Sequence, residues 1–582
     1  MNLKVKPASP QRIRSLLVAN RGEIAIRVMR AANELGLRTV AVYSHEDRFS
    51  LHRTKADEAY QVGVGKGPVE AYLDIADILR VAREAKVDAV HPGYGFLAEN
   101  PDFGAACAAA GIIFIGPSPA TMRVLGNKVA ARGLAVAAGV DVMPATGPLP
   151  AELAAAVQLA QGIGYPVMLK ASWGGGGRGM RVVESDAQLA EVLPVARREA
   201  QAAFGNDEVY LEKLVRRARH VEVQVLGDTH GNLVHLYERD CTVQRRNQKV
   251  VERAPAVFLD EAQRAALCAA GLKIARAANY VNAGTVEFLQ DADSGRFYFI
   301  EVNPRIQVEH TVTECATGID LVKAQIRIAG GAEIGTPESG VPAQADIRIS
   351  AHALQCRITT EDPENNFIPD YGTITAYRSP AGFGIRLDAG TAYTGAIITR
   401  SYDSLLVKVT AWSPTPEETI ARMHRALWEF RIRGVVSNLR FLDQLITHPK
   451  FARGDYTTRF IEESPELFQW PRKRDRASRI LSFIGATIVN GNAETKGRPQ
   501  PGAFAPVRLP PGPLPQPPPG TKQKLDELGP AQFAQWMLQQ QRVLLTDTSM
   551  RDAHQSLLAT RLRTLDMTAI APYYAALLPQ LF

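Results

Sequence analysis

Five cysteines in 582 residues, each standing alone with no CxxC pair, exclude a disulfide scaffold and a zinc ribbon. Cys107, Cys241, Cys268, Cys315 and Cys356 therefore read as reduced thiols, and their odd number cannot pair completely within one chain. No run of eighteen apolar residues occurs, so no membrane span is expected. The opening MNLKVKPASPQRIRS lacks the apolar centre of a secretion signal, which makes the cytoplasm the expected location. The net charge of +7 comes from basic residues dispersed among acids rather than gathered with aromatics, so no nucleic-acid partner is expected. Small anions such as nucleotide phosphates are the better match for that charge. Neither a GxxxxGK[ST] loop nor a GxGxxG after the first strand is present, which removes the two commonest nucleotide motifs.

What is present is a composition typical of a folded chain, 46% hydrophobic and 22% charged, with a length calling for three or more compact units. SLLVA, EIAIRVMRAANEL, RTVAVYS and AYLDIADILRVAREA alternate strand and helix patterns, which predicts a parallel sheet covered by helices. From about 219 to 310 strand patterns such as HVEVQVLGD dominate, predicting an α+β region with antiparallel hairpins. The amphipathic EETIARMHRALWEFRIR is predicted to be a helix ending at Gly434. A basic stretch, 471–479, precedes ten prolines between 499 and 519, a composition expected of a semi-rigid linker. Beyond it come a helix pattern, GPAQFAQWMLQQQ, and the strand-like RVLLTDT.

Three segments carry chemistry. In KASWGGGGRGM, Gly174, Gly175, Gly176 and Gly177 remove every side chain from a turn, so backbone N–H groups can approach phosphate oxygens, with Lys170 and Arg178 adding positive charge. In GTVEFLQDADSGRFYFIEVNPR, a hairpin centred on Ser294 places Glu287 opposite Glu301. Opposed carboxylates repel unless neutralised, and Asn303 on the same face adds an oxygen, a set suited to Mg²⁺. In NPRIQVEH, Arg305, Gln307 and Glu309 alternate and share one side of an extended segment. A plain glycine linker, a solvated charged strand face and a solvated edge are the respective alternatives on these residues alone.

Taken in order, LLVANRGEIAIRV, HPGYGFLAEN, GNKVAA, KASWGGGGRGM, EKLVRRARHVEVQV, RDCTVQRRNQKVVE, VEFL, IEVNPRIQVEHTVTE and LQCRITTEDP resemble the biotin carboxylases of the ATP-grasp superfamily over about residues 13–460. The resemblance implies an α/β and α+β multidomain fold. Its parts would be a Rossmann-like N-terminal subdomain (1–126), an ATP-grasp region with a mobile glycine-rich lid (127–215) and a C-terminal α+β subdomain (216–460). An inter-domain segment (461–498), a proline-rich linker (499–522) and an incomplete TIM-barrel start (523–582) would follow.

The resemblance also implies that Lys128, Lys170, Met180, Glu212, Lys213, Leu214, His220, Gln244 and Asn247 meet ATP beneath the glycine lid, and that Glu287, Glu301 and Asn303 hold Mg²⁺ or Mn²⁺. Bicarbonate would meet Lys249, Arg305, Gln307 and Val308. Glu309 would be the base that activates it, with a pKa expected to be raised by partial burial, and Arg357 would stabilise the biotin enolate. Asn247 departs from the His of many relatives and cannot carry its charge. LLTDTSMRDAHQSLLATR (544–561) looks like the opening strand of the carboxyltransferase barrel in the pyruvate-carboxylating branch of the family. By that likeness Asp552 is a metal ligand and Arg551 and Gln555 meet pyruvate, although a barrel needs about 250 residues and fewer than forty follow Asp547. No AMKM-type biotinylation sequence occurs, so biotin is expected to be free or carried elsewhere. A homo-oligomer through the biotin carboxylase domain, and acetyl-CoA as an activator meeting the basic segment, complete the implied partners. A biotin carboxylase subunit of an acyl-CoA or urea carboxylase and a non-catalytic scaffold are the competing readings.

Overall fold

The computed structural model describes residues 13–172, 180–469, 476–491, 506–556 and 562–581. The chain divides into two compact units, Met1–Pro471 and Arg472–Phe582. The glycine run Gly174–Gly177 and the start of the basic stretch, residues 471–475, lie outside the described residues.

Unit 1 opens with five parallel strands, β1 (Ser15–Val18), β2 (Arg38–Tyr43), β3 (Glu58–Gln61), β4 (Ala89–His91) and β5 (Ile113–Phe114), in the order β3-β2-β1-β4-β5. Short apolar runs such as LLV and VAV suit strands covered on both faces, and Leu16, Leu17, Val18, Val40 and Val42 are fully buried. The helix Gly22–Glu34 follows β1 and buries Ile24, Ala25, Val28 and Met29. A small module follows, with β6 (Val167–Ala171) flanked by β7 (Arg181–Val183) and β8 (Val209–Lys213). It has its own core of Leu149, Ala156, Val167, Leu169, Leu189, Leu193 and Leu211.

The rest of unit 1 is organised by one eight-stranded sheet. Its strands are β9 (Ala218–Gly227), β10 (Leu233–Arg245), β11 (Gln248–Ala254), β12 (Asn282–Asp291), β13 (Phe297–Asn303), β14 (His352–Thr359), β15 (Ile385–Ala389) and β16 (Leu405–Ser413). They run antiparallel in the order β13-β12-β9-β10-β11-β14-β16-β15. Successive side chains of a strand point to opposite faces, so Val221, Val223, Val225, Val286, Phe288, Cys356, Val407 and Val409 collect on one side. The helices Glu261–Ala277 and Pro416–Glu429 cover that side. The opposite side, carrying the polar residues that alternate with these, is covered by the helix His310–Thr317.

Two local expectations need correction. The helix predicted to reach Gly434 ends at Glu429, and Arg431–Arg433 pairs as a strand with Ala376–Arg378. Phe430 is buried at the junction, and the strand pairing supplies the hydrogen bonds that further helix would have made. Gly434 is instead a left-handed turn residue at φ 94°, where a Cβ would stand 2.0 Å from the Thr373 carbonyl oxygen.

In unit 2, RVLLTDT forms no strand among the described residues. Leu545 makes one isolated bridge to Leu581, and Val543 and Leu545 stay exposed. A parallel barrel strand has no ladder without neighbouring strands. The helix Thr521–Leu538 bends at Gly529, and a second helix spans Thr564–Leu577. The helix Arg476–Asn490 contains the described end of the basic stretch. No helix among the described residues is long and apolar enough to cross a membrane.

Candidate active site on the polar face of the large sheet

Alternation places the site. On β9, His220, Glu222 and Gln224 lie between valines; on β12, Thr285 and Glu287; on β14, Gln355 and Arg357; on β16, Lys408 and Thr410. Register then lines them up across strands, with Glu222 between Arg239 and Glu287, Glu287 beside Glu301, Glu252 beside Gln355, and Arg357 beside Lys408. The expected opposition of Glu287 and Glu301 is present. It survives a bulge at Ile300, because the turn is centred half a residue before Ser294 and the extra residue on β13 restores the register.

Lys249 is the hub. Its Nζ donates to Glu222 Oε2 at 2.5 Å, to Glu309 Oε1 at 2.7 Å and to Glu287 Oε1 at 2.9 Å, which uses all three ammonium protons. Burial alone would lower the pKa of this ammonium, but the three carboxylates hold it well above its ordinary value. Arg357 donates through Nε to Glu252 at 2.6 Å and through Nη2 to Glu309 Oε2 at 3.1 Å. Glu309 thus has one oxygen on Lys249 and the other on Arg357.

That geometry overturns the expected raised pKa of Glu309. Burial does push its carboxyl up, yet Lys249, Arg357 and Arg239 together hold it well below the usual carboxylate range. Glu309 is therefore an ionised acceptor at any working pH.

Glu287 is likewise held well below the usual range against the effect of burial, by Lys249 and by His220, whose Nε2 lies 3.1 Å from Glu287 Oε2. Glu301 moves the other way: burial and the neighbouring Glu287 charge raise its pKa, and Lys128 lies 3.9 Å off. Positive charge is thus gathered on Glu287, while Glu301 has Lys128 at 3.9 Å, and the hard oxygens of Glu301 would suit a divalent cation. Asn303, on the same face, donates Nδ2 to Glu287 Oε1 at 2.9 Å, and its Oδ1 accepts from Arg305 at 3.1 Å. The His, Cys, Asp and Glu groupings with metal-ligand spacing among the described residues are His220, Glu222 and Glu287, and Glu222, Cys241 and Glu309; Glu301 belongs to neither.

The NPRIQVEH segment is irregular rather than extended, and Glu309 stands at the N-cap position of the helix His310–Thr317 with its side chain turned to Lys249 and Arg357. Gln307 and Glu309 still converge, because Gln307 Nε2 donates to Glu287 Oε1 at 2.8 Å. Arg305 turns aside to Glu99 and Asn303. The Val308 carbonyl accepts from the fully buried Lys408 at 2.8 Å.

Among the expected nucleotide residues, Lys170 pairs with Glu212 across β6 and β8. The Lys213 ammonium is occupied by the carbonyls of Gly164 and Tyr165, at 2.8 and 3.2 Å. Gln244 Nε2 donates to the Cys241 carbonyl at 2.9 Å. Asn247 and Arg246 form a two-residue hairpin loop with φ of 63° and 48°, a conformation Asn tolerates well. Leu214 and Met180 are described beside this module, and both are half-buried. Arg551, Asp552 and Gln555 are exposed in unit 2.

Four residues without a sequence-based role belong to the site by contact: Glu222, Arg239, Glu252 and Glu99. The five cysteines are free thiols, four of them buried.

A large antiparallel sheet with charged side chains on one covered face, together with the small β6–β8 module, is the architecture of an ATP-grasp carboxylase ligase, and the family matches bear this out. Family models agree along the chain: the biotin carboxylase N-terminal domain at residues 12–122, the carbamoyl-phosphate synthase L chain ATP-binding domain at 127–336, and the biotin carboxylase C-terminal domain at 355–463. The biotin carboxylase domain of Hydrogenobacter thermophilus 2-oxoglutarate carboxylase, solved as a dimer with MgADP, ADP and bicarbonate, is 44% identical with a TM-score of 0.75, over 79% of this chain and 100% of that one. The chain belongs to the biotin carboxylase family.

Pyruvate carboxylase of Bacillus subtilis is 52% identical over 574 residues, 99% of this chain and 50% of that protein. A Rhizobium etli pyruvate carboxylase structure with the allosteric activator acetyl coenzyme A has 65% identity and a TM-score of 0.77, over 98% of this chain and 51% of that one. The chain spans about half the length of the curated relatives it matches.

Proposed function

We propose that this chain carries out the ATP- and Mg²⁺-dependent carboxylation of biotin by bicarbonate, and that the product feeds the conversion of pyruvate to oxaloacetate in a longer protein. The observation that carries the reading is the half-buried Lys249 with the buried Glu222, Glu287 and Glu309 around it and Arg357 on the far side of Glu309. An anionic substrate of bicarbonate size would be met by Lys249, Arg305, the Gln307 amide and the Val308 backbone. Glu309, held ionised, accepts its proton. The resulting oxygen attacks the γ-phosphorus of ATP, the bond to the β-phosphate oxygen breaks, and ADP leaves with carboxyphosphate formed.

Carboxyphosphate then splits into CO₂ and phosphate, the phosphate takes the ureido proton of biotin, and the ureido nitrogen bonds to CO₂. Arg357, always charged, faces the negative oxygen that biotin develops in this step. Glu287, Glu301 and Asn303 would hold Mg²⁺, which would offset the negative charge of the ATP phosphates. Lys128, Lys170, His220 and the segment 212–214 would line the nucleotide site. The same reading carries a second copy of the chain joined through unit 1, acetyl-CoA as an activator and a cytoplasmic location.

The test is ADP release by the purified chain with ATP, Mg²⁺ and bicarbonate, with and without free biotin. Bicarbonate-dependent release that biotin stimulates, with no oxaloacetate formed from added pyruvate, is the expected result. ADP release indifferent to bicarbonate would sink the assignment.

A further inference from the structure

Arg239, at the centre of the large sheet on β10, is fully enclosed, with 0% of its surface exposed. A guanidinium has five N–H donors and no acceptor. Here each donor has its own partner. Nε donates to Glu222 Oε1 at 2.5 Å, and Nη1 donates to Gln224 Oε1 at 2.7 Å and Thr313 Oγ1 at 3.0 Å. Nη2 donates to Thr285 Oγ1 at 3.0 Å and Gln307 Oε1 at 2.7 Å.

The last contact has a consequence for polarity. The oxygen and nitrogen of a glutamine amide have nearly the same shape, and only hydrogen bonding distinguishes the two orientations. A guanidinium can face only the oxygen, so the Gln307 NH₂ group must turn the other way, where it donates to Glu287 Oε1 at 2.8 Å. We propose that Arg239 is a positioning residue that locks the Gln307 amide so that it presents N–H donors, never its carbonyl oxygen, to the anion bound beside Lys249. This rests on the biotin carboxylase reading above, in which that anion is bicarbonate. With the lock removed, the amide can reverse and place a partial negative charge against the substrate.

Lysine at this position keeps a positive charge for Glu222 but lacks the planar fork needed to reach Gln307 as well. In the full chain, Arg239→Lys should raise the KM for bicarbonate by roughly ten- to a hundredfold, the loss of one hydrogen bond to a charged group, while the KM for MgATP stays within about twofold. In a Gln307→Met background the same change should add little to the KM for bicarbonate, because the route through Gln307 is already gone. Normal bicarbonate KM in a folded Arg239→Lys protein, or effects that multiply in the double variant, would overturn the proposal.

If Arg239→Lys fails to fold, Gln307→Glu decides. It keeps one oxygen on Arg239 and turns an acceptor toward the anion, so its bicarbonate KM should exceed that of Gln307→Met; equal values overturn the lock. An unmodified chain showing no bicarbonate-dependent ADP release would instead remove the functional reading itself.

Discussion

Two segments of the chain carry the same strand-like pattern and meet opposite fates. HVEVQV, at 220–225, lies between β10 and β12 with every side chain from Val221 to Val225 buried. RVLLTDT, at 542–548, has one isolated bridge and leaves Val543 and Leu545 in solvent. Local propensity is similar in the two; what differs is the supply of neighbouring strands. The chemistry follows. In unit 1, acids and bases from β9, β10, β11, β12 and β14 press together until Lys249 serves three carboxylates, whereas in unit 2 Arg551, Asp552 and Gln555 sit exposed on one short turn and the residues after it. A site of this kind depends on a sheet that brings distant residues together and shuts out water.

The largest effect that could break this contrast is a pair of isosteric changes. Glu301→Gln should lower ATP turnover by about two orders of magnitude or more, since the site that would hold Mg²⁺ loses a charged ligand. Its melting temperature should stay level or rise, because removing one of two opposed carboxylates relieves the repulsion that raises the Glu301 pKa. Asp552→Asn should change biotin carboxylation less than twofold. Equal losses in the two variants would place the reacting groups elsewhere.

Next in size is Arg357→Ala. The Arg357 guanidinium touches Glu252 and Glu309, with no contact to the Glu287–Glu301 pair. Carboxylation of biotin should therefore fall by about 10²-fold while bicarbonate-dependent ATP cleavage falls by about tenfold or less. Product analysis by separate ADP and carboxybiotin assays reads the split. Parallel losses would assign Arg357 to the nucleotide step or to folding.

Much of this was legible in the sequence. The parallel N-terminal sheet followed from alternating strand and helix patterns, and the Glu287–Glu301 pairing from counting outward along one hairpin. Both rest on local information. Glu222, Arg239 and Glu252 escaped because polar residues alternating with valines ordinarily mark a strand with one wet face. Here the helix His310–Thr317 covers that face, and only the three-dimensional arrangement reveals it. The pKa of Glu309 went astray for a related reason. Burial was anticipated, but the three cations that override it arrive from β10, β11 and β14, between 48 and 70 residues away. The helix end at Glu429 was missed because strand pairing with residues 376–378 outweighs helix propensity in FRIR.

The smallest effect concerns acid, and it sharpens the contrast between the units through their histidines. Burial lowers the pKa of His52 and of His91 to about 4, and that of His310 to about 3. All three imidazoles are enclosed in unit 1, whereas His554 in unit 2 is half-exposed. Neutral His91 is well satisfied: its Nδ1 accepts from the Gly93 N–H at 3.0 Å, which leaves Nε2–H for Gln325 Oε1 at 3.3 Å. In the unfolded chain each imidazole binds a proton near pH 6.5. Between that value and the folded pKa the unfolded state holds more protons than the native state, so stability falls as pH falls. Each group contributes up to about 1.4 kcal/mol per pH unit within its window. The contribution is complete above pH 6.5 and is lost progressively toward pH 4 for His52 and His91 and toward pH 3 for His310. Calorimetry at pH 7.5, 6.5 and 5.5 should show the unit 1 transition moving down by several degrees, while helical signal from unit 2 changes little. His52→Gln, which cannot titrate, should lower the melting temperature at pH 7.5 yet give a shallower slope toward pH 5.5. A slope unchanged by that substitution would mean that His52 takes no part in the acid sensitivity of this fold.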